Sequence, residues 1–445
     1  MTTGADEAAA AARFGGELDN FRSAAARALE EDPTAELPLR LVGNGWRAWN
    51  LLGRLAEGRD WANRVLDRNT DASTQAFGRA LVAAAYLAEE QSDHRQATLL
   101  AERAETILEM SGDERGLSDC WIVRGQAARC GGDLLTAEPL YLNAYGVARD
   151  VGDGFRAAKA ADALGWIAHY RGDIGGAAER FGEALELARA VGDRRQVGLM
   201  LGNLGATLTS LGNPAEAVPH LTEALEIATE LGDAQGVGAA LQSLGECDKR
   251  QGRLRAAGER WLAALDIVRE IGFTPGEAAC LDSLAGAATA AGRHGEAVGL
   301  FAAAAAIRER DGSGDVAGGP VEDETRAAHA AVGTSAARLR AEGAAWTADE
   351  VRAAAVEVVA GLPGLLAGER PDAVLAAAKR VGLTAREVDI VDRLVERKTD
   401  QEIAAALFVS VRTVTTHVSA VLRKLEVASR RDVAARAAEL GIVTT

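Results

Sequence analysis

The sequence predicts an all-α chain: a superhelical array of paired helices followed by a small four-helix reader. Three observations predict it. Gly112, Gly152, Gly192, Gly232 and Gly272 stand forty residues apart, as do Gly132, Gly172, Gly212, Gly252 and Gly292, and Ala144, Ala184, Ala224, Ala264 and Ala304. Internal repetition at such a period is the mark of stacked helix pairs. Asp113, Asp153, Asp193 and Asp233 each follow a joint glycine, so glycine stops one helix in the left-handed region and the carboxylate caps the next. Finally, Thr384 precedes Glu387 by three residues and Thr399 precedes Glu402 likewise, two capping-box patterns close together near the C-terminus.

In chain order, residues 1–45 read as an atypical helical end cap, which repeat arrays need, with Glu17 to Arg22 and the Trp46/Trp49 cluster at its border. Residues 46–310 read as the array, with a divergent joint at Leu52 to Arg59 and the forty-residue beat from about residue 93. Ser92-Asp93, Ala97 and Ala104 already keep that phase. Gly212-Asn213-Pro214 supplies stop, cap and first-turn proline, and Thr274-Pro275 supplies the last two. Leu164-Gly165, Leu204-Gly205 and Leu244-Gly245 put a small residue where the paired helix approaches closely, and Gly125 and Ala285 hold the same slot. Trp121, Trp166 and Trp261 read as packing anchors. Residues 311–323 read as a flexible Gly-rich linker and 324–378 as a helical connector with a hinge at Gly361 to Arg370. Residues 379–445 form the reader.

Within the reader, Ser410 is expected to open the third helix and Ser429 to cap the fourth. Two short helices, a tight turn and a longer helix are the layout of a helix-turn-helix, whose later helix enters the major groove. At about 100° per residue, Val414, Val418, Val421 and Leu425 fall on one face and must point inward. Arg412, Thr415, Thr416, Ser419 and Arg423 lie opposite and are the candidates for base-edge contact. Thr413, His417 and Lys424 on the flank, with Thr399 at the second cap, are candidates for phosphate contact. For His417, packing beside Val414 is an equal reading.

The formal charge is -16 over 445 residues, which argues against general coating of nucleic acid. The charge is uneven, however. From Gly382 onward ten Lys/Arg stand against nine Asp/Glu, a net +1, so the body upstream carries -17. A near-neutral reader on an acidic body fits site-specific binding by one module. Cys120, Cys130, Cys247 and Cys280 have unrelated spacings and read as buried small hydrophobes in a reducing compartment. No nucleophile–base pair, metal cluster or phosphate loop is seen, so no enzyme, cofactor or metal is expected. The absence of a long apolar run or signal pattern predicts a cytoplasmic protein without membrane contact.

The terminal segment resembles the LuxR-type helix-turn-helix through LTAREV, EIAAALFVS, TVTTHVSAVLRKL and SRRDVAARA, about sixty continuous residues. The resemblance implies base contacts at Thr415, Thr416 and Ser419, backbone contacts at Thr399, Thr413 and Lys424, and a homodimer on DNA paired through Arg431 to Leu440. Family members often carry Lys at the positions of Thr415 and Ser419, and Gly at that of Arg397, so this reading face is less cationic than usual. The array resembles tetratricopeptide repeats in a lengthened form, which implies a groove for a peptide or protein segment. Together, Glu277 to Arg308, the helical segment ending near Trp346 and the reader resemble the C-terminal half of large ATP-binding LuxR-family regulators. Their nucleotide-binding domain has no counterpart here, for the sequence contains no Gly-Lys pair. The expectation is a sequence-specific regulator of transcription, by resemblance an activator, whose array senses a partner protein, peptide or small ligand. The alternative is a repeat-based interaction scaffold whose terminal module binds protein rather than DNA.

Overall fold

The computed structural model describes residues 13–31, 36–69, 73–312, 320–363, 377–407, 411–427 and 429–442. These residues form helices and no strand, and the chain divides into two compact units, Met1–Leu211 and Gly212–Thr445.

The first unit holds α1 (Leu18–Glu31), α2 (Glu36–Leu51), α3 (Leu55–Asp67), α4 (Gln75–Glu89), α5 (His94–Ser111), α6 (Glu114–Cys130), α7 (Leu134–Asp150), α8 (Gly154–Tyr170), α9 (Ile174–Val191) and α10 (Arg194–Ser210). Its joints are built as the sequence predicts. Gly132 takes φ +79 and the next amide, that of Asp133, donates back to the Ala128 carbonyl at 2.9 Å, closing the helix stop. The Asp133 carboxylate then accepts from the Thr136 amide at 3.0 Å and starts α7. Asp93, Asp113, Asp153, Asp173 and Asp193 cap in the same manner. Ser92 keeps the left-handed turn, at φ +59, without being glycine. Arginines lock successive joints together: Arg79 grips the Asp113 carboxylate through Nε at 2.6 Å and Nη2 at 3.1 Å. Burial pushes the Asp113 carboxyl up, but Arg79 and the Gly116 amide outweigh it and hold it below the usual range.

The small-residue slots work differently from expectation. A Cβ on Gly165 would sit 2.7 Å from the Phe181 ring and one on Gly125 would sit 2.6 Å from the Tyr141 ring. The vacancy therefore admits a ring from the second helix of the pair, sixteen residues on, rather than a second backbone. Trp261 fills the equivalent place against Gly245. Each large side chain is almost fully buried.

The second unit holds α11 (Pro214–Glu230), α12 (Ala234–Arg250), α13 (Leu254–Glu270), α14 (Thr274–Ala290), α15 (His294–Asp311), α16 (Pro320–Val332), a 3₁₀ turn at Gly333–Ser335, α17 (Ala336–Ala344) and α18 (Ala348–Gly361). Four helices of the reader follow: α19 (Ala385–Val395), α20 (Asp400–Leu407), α21 (Val411–Leu425) and α22 (Val433–Glu439). Two expected caps fail here. Asn213 precedes α11 without a side-chain bond, because its own carbonyl takes the Glu216 amide at 3.1 Å. Helix α14 begins at Thr274 itself, whose hydroxyl goes to Asp311 at 2.9 Å. Helix α16 begins at Pro320, so residues 320–323 are helical rather than linker; proline at the first position and Glu322 and Asp323 in the first turn favour that start. Residues 313–319 of the expected linker and 364–376 of the expected hinge lie outside the described residues. Thr347 and Glu350 form the full capping box ahead of α18.

Candidate nucleic-acid interface

The reader folds around its own apolar cluster: Val388, Ile390, Val391 and Leu394 from α19, Ile403 and Ala404 from α20, Val414, Val418, Val421 and Leu425 from α21, and Val433 and Ala437 from α22. The four α21 residues are the ones the helical phase turned inward. Both capping boxes are closed: Thr384 and Glu387 satisfy each other's amides at 2.7 and 3.3 Å, and Thr399 and Glu402 do the same at the same distances.

Fixing the valines inward leaves the opposite face of α21 outward. Thr415, Thr416, Ser419 and Arg423 are exposed. Thr416, Ser419 and Arg423 follow at intervals of three and four, and span about 10 Å at 1.5 Å per residue. Arg412 and Thr413 stand in the first turn of α21, and their side chains lie outside the described residues, as does Ser410. His417 is partly buried on the flank.

Two of the phosphate candidates already hold partners within the reader, and one expected cap is corrected. The Lys424 ammonium is not presented outward for a phosphate, since it sits 2.6 Å from both oxygens of Glu387. Burial raises the Glu387 carboxyl, but Lys424 and the Thr384 amide and hydroxyl overcome this and hold it low. The Thr399 hydroxyl, exposed, is turned to Glu402 at 2.8 Å. Ser429 does not cap α22: its hydroxyl meets the Asp432 carboxylate at 2.7 Å, and Asp432 itself occupies the cap position without a side-chain bond to the helix. A serine facing an acidic residue three positions on is drawn into that local bond.

Two residues beside the reading face went unnoticed in the sequence. Asp400 accepts from the Thr415 hydroxyl at 3.1 Å and from Arg430 at 2.8 Å, and Arg430 also reaches the Lys398 carbonyl. The carboxylate holds Thr415 in place while Arg430 cancels a charge that would repel phosphate. Separations of 15 and 30 residues leave no local periodicity by which to find such a pair. Within the second unit, Arg393 of α19 faces Glu259 of α13 at 3.4 Å. That contact uses the first reader helix and leaves the outer face of α21 exposed.

The first unit contains a second feature. A cleft of about 360 Å³ is bounded by Tyr86, Gln126, Lys159, Asp162, Trp166 and Gln196, among others. These come from the first helix of successive pairs, and Trp46, Tyr86, Gln126 and Trp166 are forty residues apart, a signal already present in the sequence. The Lys159 ammonium lies 4.6 Å from the Tyr86 ring centre, and Trp46 stacks on Tyr86 at 4.2 Å. Trp166 packs edge-on against Phe181 and also borders the cleft, so it is more than the packing anchor expected. Trp261 is wholly buried, and the Trp121 indole donates to Glu105 at 2.7 Å. Of the cysteines, Cys120, Cys247 and Cys280 are buried, but Cys130 is exposed, because it ends α6 beyond the last inward-facing position. No described helix is long and apolar enough to cross a membrane.

Comparison with known proteins separates the reader from repeats that precede it. Residues 381–437 match the family model of bacterial regulatory proteins, luxR family, and residues 196–259 and 239–310 match that of the tetratricopeptide repeat. The uncharacterized transcriptional regulatory protein YhcZ of Bacillus subtilis (strain 168) is 54% identical over 52 residues, 12% of this chain. The chain spans only 24% of the length of that relative. The spore germination protein GerE of the same organism is 39% identical over 59 residues, which are 13% of this chain and 80% of GerE. Among solved structures, a Rap protein complexed with Competence and Sporulation Factor superposes with a TM-score of 0.51 at 15% identity, covering 88% of this chain and 100% of that one. At that identity the likeness is one of fold.

Proposed function

The chain belongs to the luxR family of bacterial regulatory proteins, and on that premise we propose that it is a cytoplasmic, sequence-specific DNA-binding regulator of transcription, acting as an activator. The carrying observation is α21: its valines are buried, and Thr415, Thr416, Ser419 and Arg423 are exposed in a row that fits a major groove. Arg412, in the first turn of the same helix, is the remaining candidate for base-edge contact. Thr413, His417 and Thr399 approach phosphates from the flank, and Lys424 does so only on leaving Glu387. Two copies pair through α22 and read half-sites about one helical turn apart, or a multiple of that. The protein carries out no chemistry of its own.

The repeats supply the input. A peptide or protein segment, or a small ligand, settles in the cleft of the first unit and alters how the reader is presented. The Rap structure holds a factor on the same type of fold, which supports the reading.

The test is selection of duplexes from a random pool by the full chain, followed by gel shift. Arg412→Ala and Arg423→Ala should each weaken the selected complex by about 1–3 kcal/mol, or roughly 5- to 150-fold. Retardation that survives both changes intact refutes the groove assignment. Affinity should also fall steeply with added salt, whereas salt-indifferent binding would favour the scaffold reading.

A further inference from the structure

Among the described residues, an unassigned cluster of metal-binding side chains lies at the joint between α4, α5 and α6, and we propose that Glu89, His94 and Cys130 form a three-ligand site for a thiophilic divalent cation of the zinc class. Glu89 ends α4, His94 begins α5 and Cys130 ends α6, so three helix ends from consecutive pairs converge on one point. One donor atom from each lies within 4.8 Å of the others. His94 Nδ1 is 2.9 Å from Glu89 Oε2, and Cys130 Sγ is 4.0 Å from Glu89 Oε1. A tetrahedral zinc ion with ordinary bond lengths needs about 3.3 Å between nitrogen and oxygen and about 3.5 Å between sulfur and oxygen. Each contact is within about half an ångström of its value but uses a different oxygen of Glu89, so an ion takes both after a small turn of that carboxylate, a movement open to a partly exposed side chain.

The repeats provide an internal control. The positions forty residues on are Arg129, Leu134 and Tyr170; the next are His169, Ile174 and Ser210; then come Thr209, Pro214 and Arg250. Lys249, Leu254 and Ala290 follow, and then Thr289, His294 and Ala330. None of those joints offers more than one metal-binding side chain. Where three of them place Leu or Ile at the start of the second helix, this joint places His94. Helix-pair architecture therefore does not require these donors, and only here do three coincide.

The donor set selects the ion. One thiolate, one imidazole and one carboxylate suit zinc or cobalt and not magnesium or calcium, which demand oxygen alone. A thiolate and a carboxylate bring two negative charges to match the cation. On binding, the Cys130 Sγ–H bond breaks, a sulfur–metal bond forms, and the proton leaves to solvent. Three protein ligands leave a fourth position open, and Glu89 also borders the cleft beside Gln126 and Arg129. The ion would thus stiffen one repeat joint at the edge of that cleft.

The experiment uses the full reduced chain and needs no DNA, so its outcome is independent of the regulatory reading. Cys130 is the one exposed cysteine of the four, so a disulfide reagent should label it first in the native protein. One equivalent of Zn²⁺ should slow that labelling by about tenfold or more, and Mg²⁺ should not. Co²⁺ should give a thiolate charge-transfer band in the near ultraviolet. Glu89→Gln and His94→Ala, checked for native helicity by circular dichroism, should label as fast as the parent without metal and lose both effects. Unchanged labelling in Zn²⁺ overturns the site, and so does full protection in His94→Ala, which would mean a lone thiolate.

Discussion

Lys424 and Glu387 form a closed ion pair, 2.6 Å from ammonium to each carboxylate oxygen, that ties the last turn of α21 to the first turn of α19. The Glu387 side chain is 6% exposed and also completes the capping box of Thr384. Removing the cation leaves a nearly buried carboxylate with a hydrogen-bonded amide but no counter-charge. Lys424→Met should therefore destabilise the reader by about 1–3 kcal/mol, and Glu387→Gln, which keeps the box, by less. The Glu387 pKa is depressed in the folded chain. Its stabilisation is thus present above the unfolded value near 4.3 and is lost as pH falls through the lower folded value. Hydrogen exchange of the α19 and α21 amides between pH 3 and 7 checks both the size and the sign.

Gly165 and Phe181 make a second prediction. Alanine at 165 gains helix propensity of about 1 kcal/mol but drives a methyl into the ring, so a net loss of about 1–2 kcal/mol is expected in chemical denaturation. Phe181→Leu in the same chain opens space for the methyl. The double variant should lose less than the sum of the two single changes, and simple additivity would show that the ring does not fill the slot.

The contrast between these two sites shows where the sequence was legible. Joint glycines, capping aspartates and the inward phase of Val414, Val418, Val421 and Leu425 are local properties, set by dihedral preference and helical pitch, and they could be read directly. Lys424 with Glu387, Asp400 with Arg430, and the ring in the Gly165 slot are tertiary relationships. At separations of 37, 30 and 16 residues no period of the helix announces them. The cleft stands between: Tyr86, Gln126 and Trp166 repeat at the array's own beat, but only packed helices show that this phase lines the cleft. Ser429 and Asn213 failed as caps because a nearer partner, the Asp432 carboxylate or the residue's own carbonyl, won the bond.

Arg397 carries backbone strain that can be removed. It adopts φ +61 in the turn between α19 and α20, a region costly for a residue with a Cβ, and its side chain is exposed. Arg397→Gly should stabilise the turn by about 0.5–1 kcal/mol after allowing for glycine's greater unfolded entropy. Glu396, at φ -68, is the control, and glycine there should destabilise. Ser92→Gly, at φ +59, should reproduce the gain at its own joint. Slower exchange of the flanking amides in the first and third variants, with faster exchange in the second, is the expected pattern.

Asp162 gives the array a pH response of opposite sign to that of Glu387. Burial raises its carboxyl to about 6, only partly offset by the Asn203 amide that donates at 2.7 Å. A carboxyl whose folded pKa lies above its unfolded value of about 3.9 favours folding while protonated. That contribution is complete below pH 4 and is lost as pH rises through about 6. Ionised Asp162 thus costs the first unit about 1–3 kcal/mol at neutral pH, the free-energy equivalent of the shift reduced for its partial contact with water. Asp162→Asn keeps the shape and an acceptor for Asn203 and removes the charge. It should be more stable than the parent at pH 7.5 and indistinguishable from it near pH 4. Equal stability difference at both pH values would show that Asp162 is ionised throughout and that the cleft is wetter than its lining implies.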